Sequence, residues 1–491
     1  METKVLAHIN GKWVEAQAWR DNVNPADRRE VIGKAVDCGV EEARAAIAAA
    51  KAALPGWRAT PVPVRADVIF RAQRLMEQRL EELARALSWE EGKILAESRG
   101  EVKKAIRILE FIAGEGRRAA GLVVPSELPN TLCYTQRQPL GVVGLITPWN
   151  FPVAIPAWKI APALVAGNTV VLKPAEQTPL TGRLVVELFL DAGLPPGVLN
   201  FVPGPGETVG QTLVTHPDVA AVSFTGSNEI GMLIYRQTAE LNKKCQCEMG
   251  GKNPLVVLAD ADVALAAAAT VDGAFGSTGQ RCTATSRAIV DAAVHDRFVE
   301  LVVSAAKGYR MGNPLAEGIH MGPSVDAEQY EQVHRYIALG KQEGARLVCG
   351  GEKLASGELA HGLFTSPTVF VDVKPEMRIA QEEIFGPVLS VIKVQGYDEA
   401  IRAANGVKYG LSSSVYTQDL RLAQRFIDEI ETGITHVNSP TLGGEAQLPF
   451  GGVKATGVGQ REMGWTAVEF YSELKTVYVD YTGQKRSTNI Y

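Results

Sequence analysis

The sequence predicts an α/β protein built from two doubly wound domains. From residue 141 onward, short apolar runs alternate with helix-like stretches, which is the texture of parallel βαβ units. A second such run extends over residues 253–435. The 491 residues, 46% of them hydrophobic, are enough chain for two large domains, each with its own core.

The elements follow in order. Ile9-Asn10-Gly11-Lys12-Trp13-Val14 reads as a hairpin, with Asn-Gly supplying the left-handed turn. Residues 40–54 are Ala-rich and predict a helix. Residues 64–87 predict another, with Val68, Leu75, Leu80 and Leu83 near helical spacing, and 102–112 a third. Residues 141–146, 169–172, 198–202 and 219–224 are short apolar runs suited to buried parallel strands. A helix over 181–191 stops at Ala192-Gly193 and Pro195-Pro196. In the second half, 254–258, 287–290 and 388–394 predict strands. Residues 476–481 are β-rich and isolated, an arm that pairs with another segment or another subunit. There is no 20–50-residue repeat, low-complexity tract or long linker.

Composition narrows the partners. The 50 Lys and Arg against 55 Asp and Glu leave a formal charge of -5, without the basic footprint that nucleic acid requires. Six scattered cysteines do not make a disulfide framework, so a reducing, cytoplasmic setting is expected. The start of the chain carries Glu2, Lys4, Lys12 and Glu15 and no apolar run, unlike a secretory signal. Arg137 and Lys159 bracket an uncharged stretch, but Pro148, Pro152 and Pro156 break it, so no membrane helix is expected there.

Several chemistries lack their motif. G-x-x-x-x-G-K-[ST], G-x-S-x-G and G-x-G-x-x-G are all absent; Gly204-Pro205-Gly206 followed by Gly210 has the wrong spacing. The seven histidines lie far apart, and Cys245-x-Cys247 alone is too little for a zinc shell, so no metal site is expected. The phosphate candidate is Gly226-Ser227, where an apolar strand ends and a helix starts near Asn228: helix-start N–H groups favour a pyrophosphate, although such turns recur in any α/β sheet. Cys282 follows Gly276-Ser277-Thr278-Gly279-Gln280-Arg281; it reads as a nucleophile whose thiolate Arg281 favours, or as a small buried hydrophobe. Glu248, beside Gly250-Gly251-Lys252, reads as a desolvated general base or as a partner for Lys252. Asn150, amid Trp149, Phe151 and two prolines, can cap a turn or hold an oxyanion.

Taken together these residues sit in seven ordered motifs: ITPWNFP (146–152), VVLKPAEQTP (170–179), FTGSNEIG (224–231), CEMGGKNP (247–254), GQRC (279–282), EEIFGPV (382–388) and PFGGVK (449–454). Over essentially its whole length the chain resembles the NAD(P)-dependent aldehyde dehydrogenase superfamily. The resemblance implies that Cys282 attacks the aldehyde, that the Asn150 amide and the Cys282 N–H hold the oxyanion, and that Glu248 activates water against the resulting thioester. For the cofactor, NAD or NADP, it implies that Gly226 and Ser227 meet the pyrophosphate, Lys173 and Glu176 the adenine ribose, and Glu383 the nicotinamide ribose. Phe385 and Trp149 line the nicotinamide end, and Ile146 and Gly250 complete the set. It further implies a Rossmann-like cofactor domain (1–116 and 140–250), a catalytic domain (251–450) and an oligomerisation arm (117–139 and 467–491) that makes dimers or tetramers.

By position, Phe151, Trp158, Arg281, Thr283 and Phe450 are expected to line the substrate tunnel for a small-molecule aldehyde. Aromatic walls favour an apolar aldehyde, whereas Arg281 would pair with a carboxylate-bearing one, or else with a structural carboxylate. IPAWKIAPAL together with GQRC resembles the 2-oxoglutarate semialdehyde dehydrogenases. A CoA-acylating relative would usually lack Glu248, and a non-catalytic descendant would be expected to lose Cys282, Glu248 or Asn150; all three are present.

Overall fold

A computed structural model describes residues 3–119 and 121–485. Residues 1–2, 120 and 486–491, which the sequence reading placed in the first domain and the arm, lie outside the described residues.

Two sheets organise the chain. The first has eight strands in the order Gly457–Val458, Lys244–Glu248, Val219–Thr225, Val142–Ile146, Thr169–Lys173, Leu199–Phe201, Ala7–Ile9, Lys12–Val14. Its five central strands are parallel, and the predicted Asn10-Gly11 hairpin closes one edge with both turn residues at positive φ (51° and 80°). Val142–Ile146 and Thr169–Lys173 are buried at every residue, because helices cover both faces; that is why these strands read as unbroken apolar runs. The second sheet has seven strands: Arg346–Cys349, Thr368–Val371, Val388–Val394, Thr285–Asp291, Asn253–Val257, Ser412–Tyr416 and Ile434–Val437, parallel except for the first pair. Together the two sheets bear out the α/β, doubly wound expectation.

The chain passes from the first sheet to the second over four residues, Met249, Gly250, Gly251 and Lys252. It returns late, when Gly457–Val458 pairs antiparallel with Cys247 and Glu248. The isolated C-terminal strand, Ser472–Asp480, pairs along nine residues with Thr131–Pro139, which also carries Val123–Val124 on its other edge. Leu122, Val123, Leu132, Leu474 and Tyr478 of this small sheet stand exposed.

The 64–87 helix is corrected: two helices, Val62–Gln78 and Leu80–Glu91, meet at Arg79. Arg79 leaves helical geometry (φ -99°, ψ 17°), and the change of direction lets Leu83 and Leu87 bury completely. The Ala-rich helix runs on to Ala59 through Pro55, whose missing N–H falls on an exposed face. Among the described residues, no helix is long and apolar enough to cross a membrane.

Candidate active site

The parallel strands of the first sheet end on one side, and there the candidate residues collect, as ligand sites do in open α/β sheets. Ile146 and Lys173 end adjacent strands as register partners, and Phe224 stands opposite Ile146 on the other side. Gly226-Ser227 then turns the chain into the helix Asn228–Glu240, whose N-terminus Ser227 caps through its Oγ (3.4 Å from the Ile230 N–H).

Cys282 lies between a tight turn at Gly276–Gly279 and the strand Thr285–Asp291. Ser277, Thr278 and Gly279 are all left-handed (φ 49°, 58° and 67°), a costly run for two residues that carry a Cβ. Their surroundings hold it. The Ser277 N–H donates to Glu97 (2.7 Å), Thr278 Oγ1 donates to the Gly322 carbonyl (3.1 Å), and the Gln280 carboxamide accepts from Val325 (3.0 Å). Gly279 must be glycine because a Cβ would come within 2.2 Å of the Gly386 carbonyl. On the other side, Asn253 Nδ2 donates to the carbonyls of Cys282 and Ala284, at 2.8 Å each.

The half-buried thiol is the common wall of two cavities. One, of about 220 Å³, brings together Trp149, Asn150, Gly226, Ser227, Gly250, Glu383 and Phe385. Trp149 and Phe385 meet edge to face at 5.3 Å, and Gln329 holds the Phe385 carbonyl (3.0 Å) while Phe385 sits at positive φ (58°). Glu383 packs on the sheet crossing, accepting the Gly251 N–H at 2.9 Å; a Cβ on Gly250 would strike its carboxylate. Lys173 and Glu176 lie outside this cavity and pair with each other (2.7 Å). Glu176 also lines a separate cleft with Arg20 and Asp326.

The other cavity, of about 240 Å³, gathers Phe151, Trp158, Arg281, Thr283, Phe450 and Glu248. The structure thus brings the five residues expected around a substrate to one cavity. Trp158 and Phe450 stack at 5.6 Å.

Two electrostatic expectations change. Arg281 does not serve the thiolate: its guanidinium donates to Glu97 and to Ser277 Oγ, both at 2.9 Å. The cation acting on the thiol is Lys104, which sequence reasoning missed; burial nevertheless pushes the Cys282 thiol up to about 12, with Glu383 and Glu248 adding to the rise. Nor does Glu248 pair with Lys252. Its carboxylate accepts the Gly452 N–H (3.3 Å) and rests against Gly451 and Gly457, where any Cβ would crowd it. Burial and the neighbouring Glu462 raise its pKa well above the usual carboxylate range. Glu462 is in turn bound to buried Lys159, which also donates to Ser223 Oγ (2.6 Å), a polar chain behind Glu248 that no single motif announced.

Asn150 is fixed by another pair the sequence did not single out. Lys93 and Glu101, each 1% exposed, lie 2.6 Å apart. Lys93 also donates to the Asn150 carbonyl (2.7 Å) and sits over the Phe151 ring at 4.1 Å, while Glu101 accepts the N–H groups of Val153 (2.8 Å) and Ala154 (3.1 Å). The Asn150 amide donates one N–H to the Gln280 carbonyl (3.0 Å), and Asn150 lines the same cavity as Cys282. Among the described residues, no group of three or more His, Cys, Asp and Glu side chains is placed to hold a metal ion.

A cysteine shared by two clefts at the seam of two α/β sheets has clear relatives. The chain belongs to the aldehyde dehydrogenase family, whose pattern matches residues 13–477. It is 47% identical to the alpha-ketoglutaric semialdehyde dehydrogenase of Bacillus subtilis over 96% of this chain and 98% of that one. It is 44% identical to the alpha-ketoglutarate semialdehyde dehydrogenase of Haloferax volcanii, over 96% and 98%. Betaine aldehyde dehydrogenase from Staphylococcus aureus, solved in complex with NAD+, superposes with a TM-score of 0.95 at 34% identity, covering 98% of this chain and 95% of that one.

Two outcomes follow from the geometry. Lys93→Met leaves buried Glu101 without its counter-ion, and is expected to cost about 3–5 kcal/mol in denaturant unfolding. With its thiol raised to about 12, Cys282 in the ligand-free protein should react slowly with iodoacetamide at pH 7, the rate climbing about tenfold per pH unit past pH 9; a plateau already at pH 8 would contradict this.

Proposed function

We propose that the protein oxidises an aldehyde to its carboxylic acid with NAD+ or NADP+, through a thioester on Cys282. The observation that carries this reading is the position of Cys282 in a wall shared by a glycine-lined cleft and an aromatic cavity. The residues present fit a dinucleotide. The helix start at Asn228 offers backbone N–H groups to a pyrophosphate, Trp149 and Phe385 wall the same cleft, and Glu383 stands ready for a ribose. Glu176 suits ribose hydroxyls and Lys173 a phosphate, so both forms of the cofactor remain in the proposal. When bound, the cofactor supplies a hydride acceptor beside the sulfur.

The chain's own residues do the rest. Cys282 Sγ, once deprotonated, bonds to the aldehyde carbon, and the Asn150 amide N–H holds the oxyanion. Loss of hydride from that adduct leaves a thioester on the sulfur. The Glu248 carboxylate then takes a proton from water as the oxygen attacks the thioester carbonyl, and collapse releases the acid and the thiolate. Lys159 and Glu462, behind Glu248, offer a route by which its proton leaves the site.

The relatives named above support a carboxylate-bearing semialdehyde as substrate. In this reading, residues 1–116 and 140–250 bind the cofactor, residues 251–450 supply the nucleophile, and the exposed arm of 117–139 and 467–491 joins copies into dimers or tetramers.

Stopped-flow nicotinamide absorbance tests the chemistry. Cys282→Ala is expected to lose turnover while still binding cofactor. Glu248→Gln should give a burst of about one reduced nicotinamide per site followed by slow turnover. Normal turnover by the Ala variant would sink the reading, and steady turnover of Glu248→Gln at the wild-type rate would remove Glu248 as the base.

A further inference from the structure

We infer that Lys104 is the residue that receives the carboxylate of the substrate, its ammonium meeting the far end of an anionic aldehyde whose carbonyl lies at Cys282. This rests on the aldehyde-oxidising reading above and names the group that would set its selectivity.

Five ionisable side chains other than the cysteine line the aromatic cavity: Glu97, Glu101, Lys104, Glu248 and Arg281. Four are already engaged. Arg281 is paired with Glu97 at 2.9 Å and Glu101 with Lys93 at 2.6 Å. Glu248 takes the Gly452 N–H and is held toward its neutral form by burial and by Glu462. Lys104 has neither an ion pair nor a hydrogen bond to any described residue. Its Nζ instead lies 5.3 Å from the Trp158 ring and 5.5 Å from the Phe450 ring, and a Cβ on Gly444 would come within 3.5 Å of it. The ammonium therefore stands between the aromatic wall and the 443–444 loop.

A second group beside it also lacks a partner. Trp158 is buried and lines the same cavity, and its indole N–H has no acceptor. A cation with no protein counter-ion beside a buried donor with no acceptor suits an anion with oxygen acceptors. Burial pulls the Lys104 pKa below the usual lysine range, the behaviour of an ammonium awaiting a counter-ion. Arg281, the nearer cation in sequence, is not the carboxylate receptor, because Glu97 and Ser277 already engage it.

Succinic semialdehyde, a carboxylate-bearing aldehyde, and butanal, its uncharged counterpart, test the assignment in the intact enzyme. Wild type is expected to prefer succinic semialdehyde. In Lys104→Met the ratio of kcat/KM for the acid over butanal should fall by about 10- to 100-fold, mostly through KM, with Lys104→Arg recovering most of it. An unchanged ratio, or an equal fall for both substrates, would overturn the inference. If Lys104→Met does not fold, Lys104→Gln and inhibition of wild type by glutarate against glutaramide decide the matter, and equal inhibition by the two counts against it. Wild type that oxidises butanal but shows no preference for the acid defeats the Lys104 assignment alone; wild type that oxidises neither defeats the aldehyde reading with it.

Discussion

The site depends on a four-residue crossing. Because the chain leaves the first sheet at Glu248 and enters the second at Asn253, a carboxylate that ends one sheet and a backbone anchor that begins the other are only a few residues apart. Asn253 holds the carbonyls of Cys282 and Ala284, so the same short connector positions the acid and the sulfur. The two glycines inside it are there because Glu383 and the Cys282 carbonyl leave no room for a Cβ. Neither sheet alone could set these groups beside each other.

Desolvation governs the chemistry that results. Cys282, Glu248 and Glu383 all have their acid forms favoured by burial. A positively charged ligand arriving beside the sulfur would shift that balance toward the thiolate. Backbone placement is secured separately, by the Lys93–Glu101 pair under Asn150 and by the hydrogen bonds that restrain Ser277 and Thr278 in left-handed conformations. These interactions maintain geometry rather than charge.

The parallel strands were legible because burial on both faces writes itself as continuous apolar runs, and the Asn10-Gly11 hairpin because only a few residue pairs suit that turn. The residues gathered around Cys282 could be read from the motifs, each a short run around a glycine or proline. What sequence could not display is pairing at a distance. Lys93, Lys104, Lys159 and Glu462 lie on segments whose local patterns resemble any buried helix or turn, and only the tertiary contacts give them meaning. Arg281 misled for the converse reason: adjacency to the cysteine suggested an electrostatic helper, while its side chain points to Glu97 from another helix. The 64–87 helix failed because periodicity continues through Arg79 although the direction of the chain does not.

The resting place of the Glu248 carboxylate is built by Gly451, Gly452 and Gly457, and its hydrogen bond to Gly452 joins residues 204 positions apart. Such a contact forms only after a large loop has closed, and local structure forms before it. Until then one edge of the strand Lys244–Glu248 stands unpaired, so the return of Gly457–Val458 both seats the carboxylate and closes that edge against other chains.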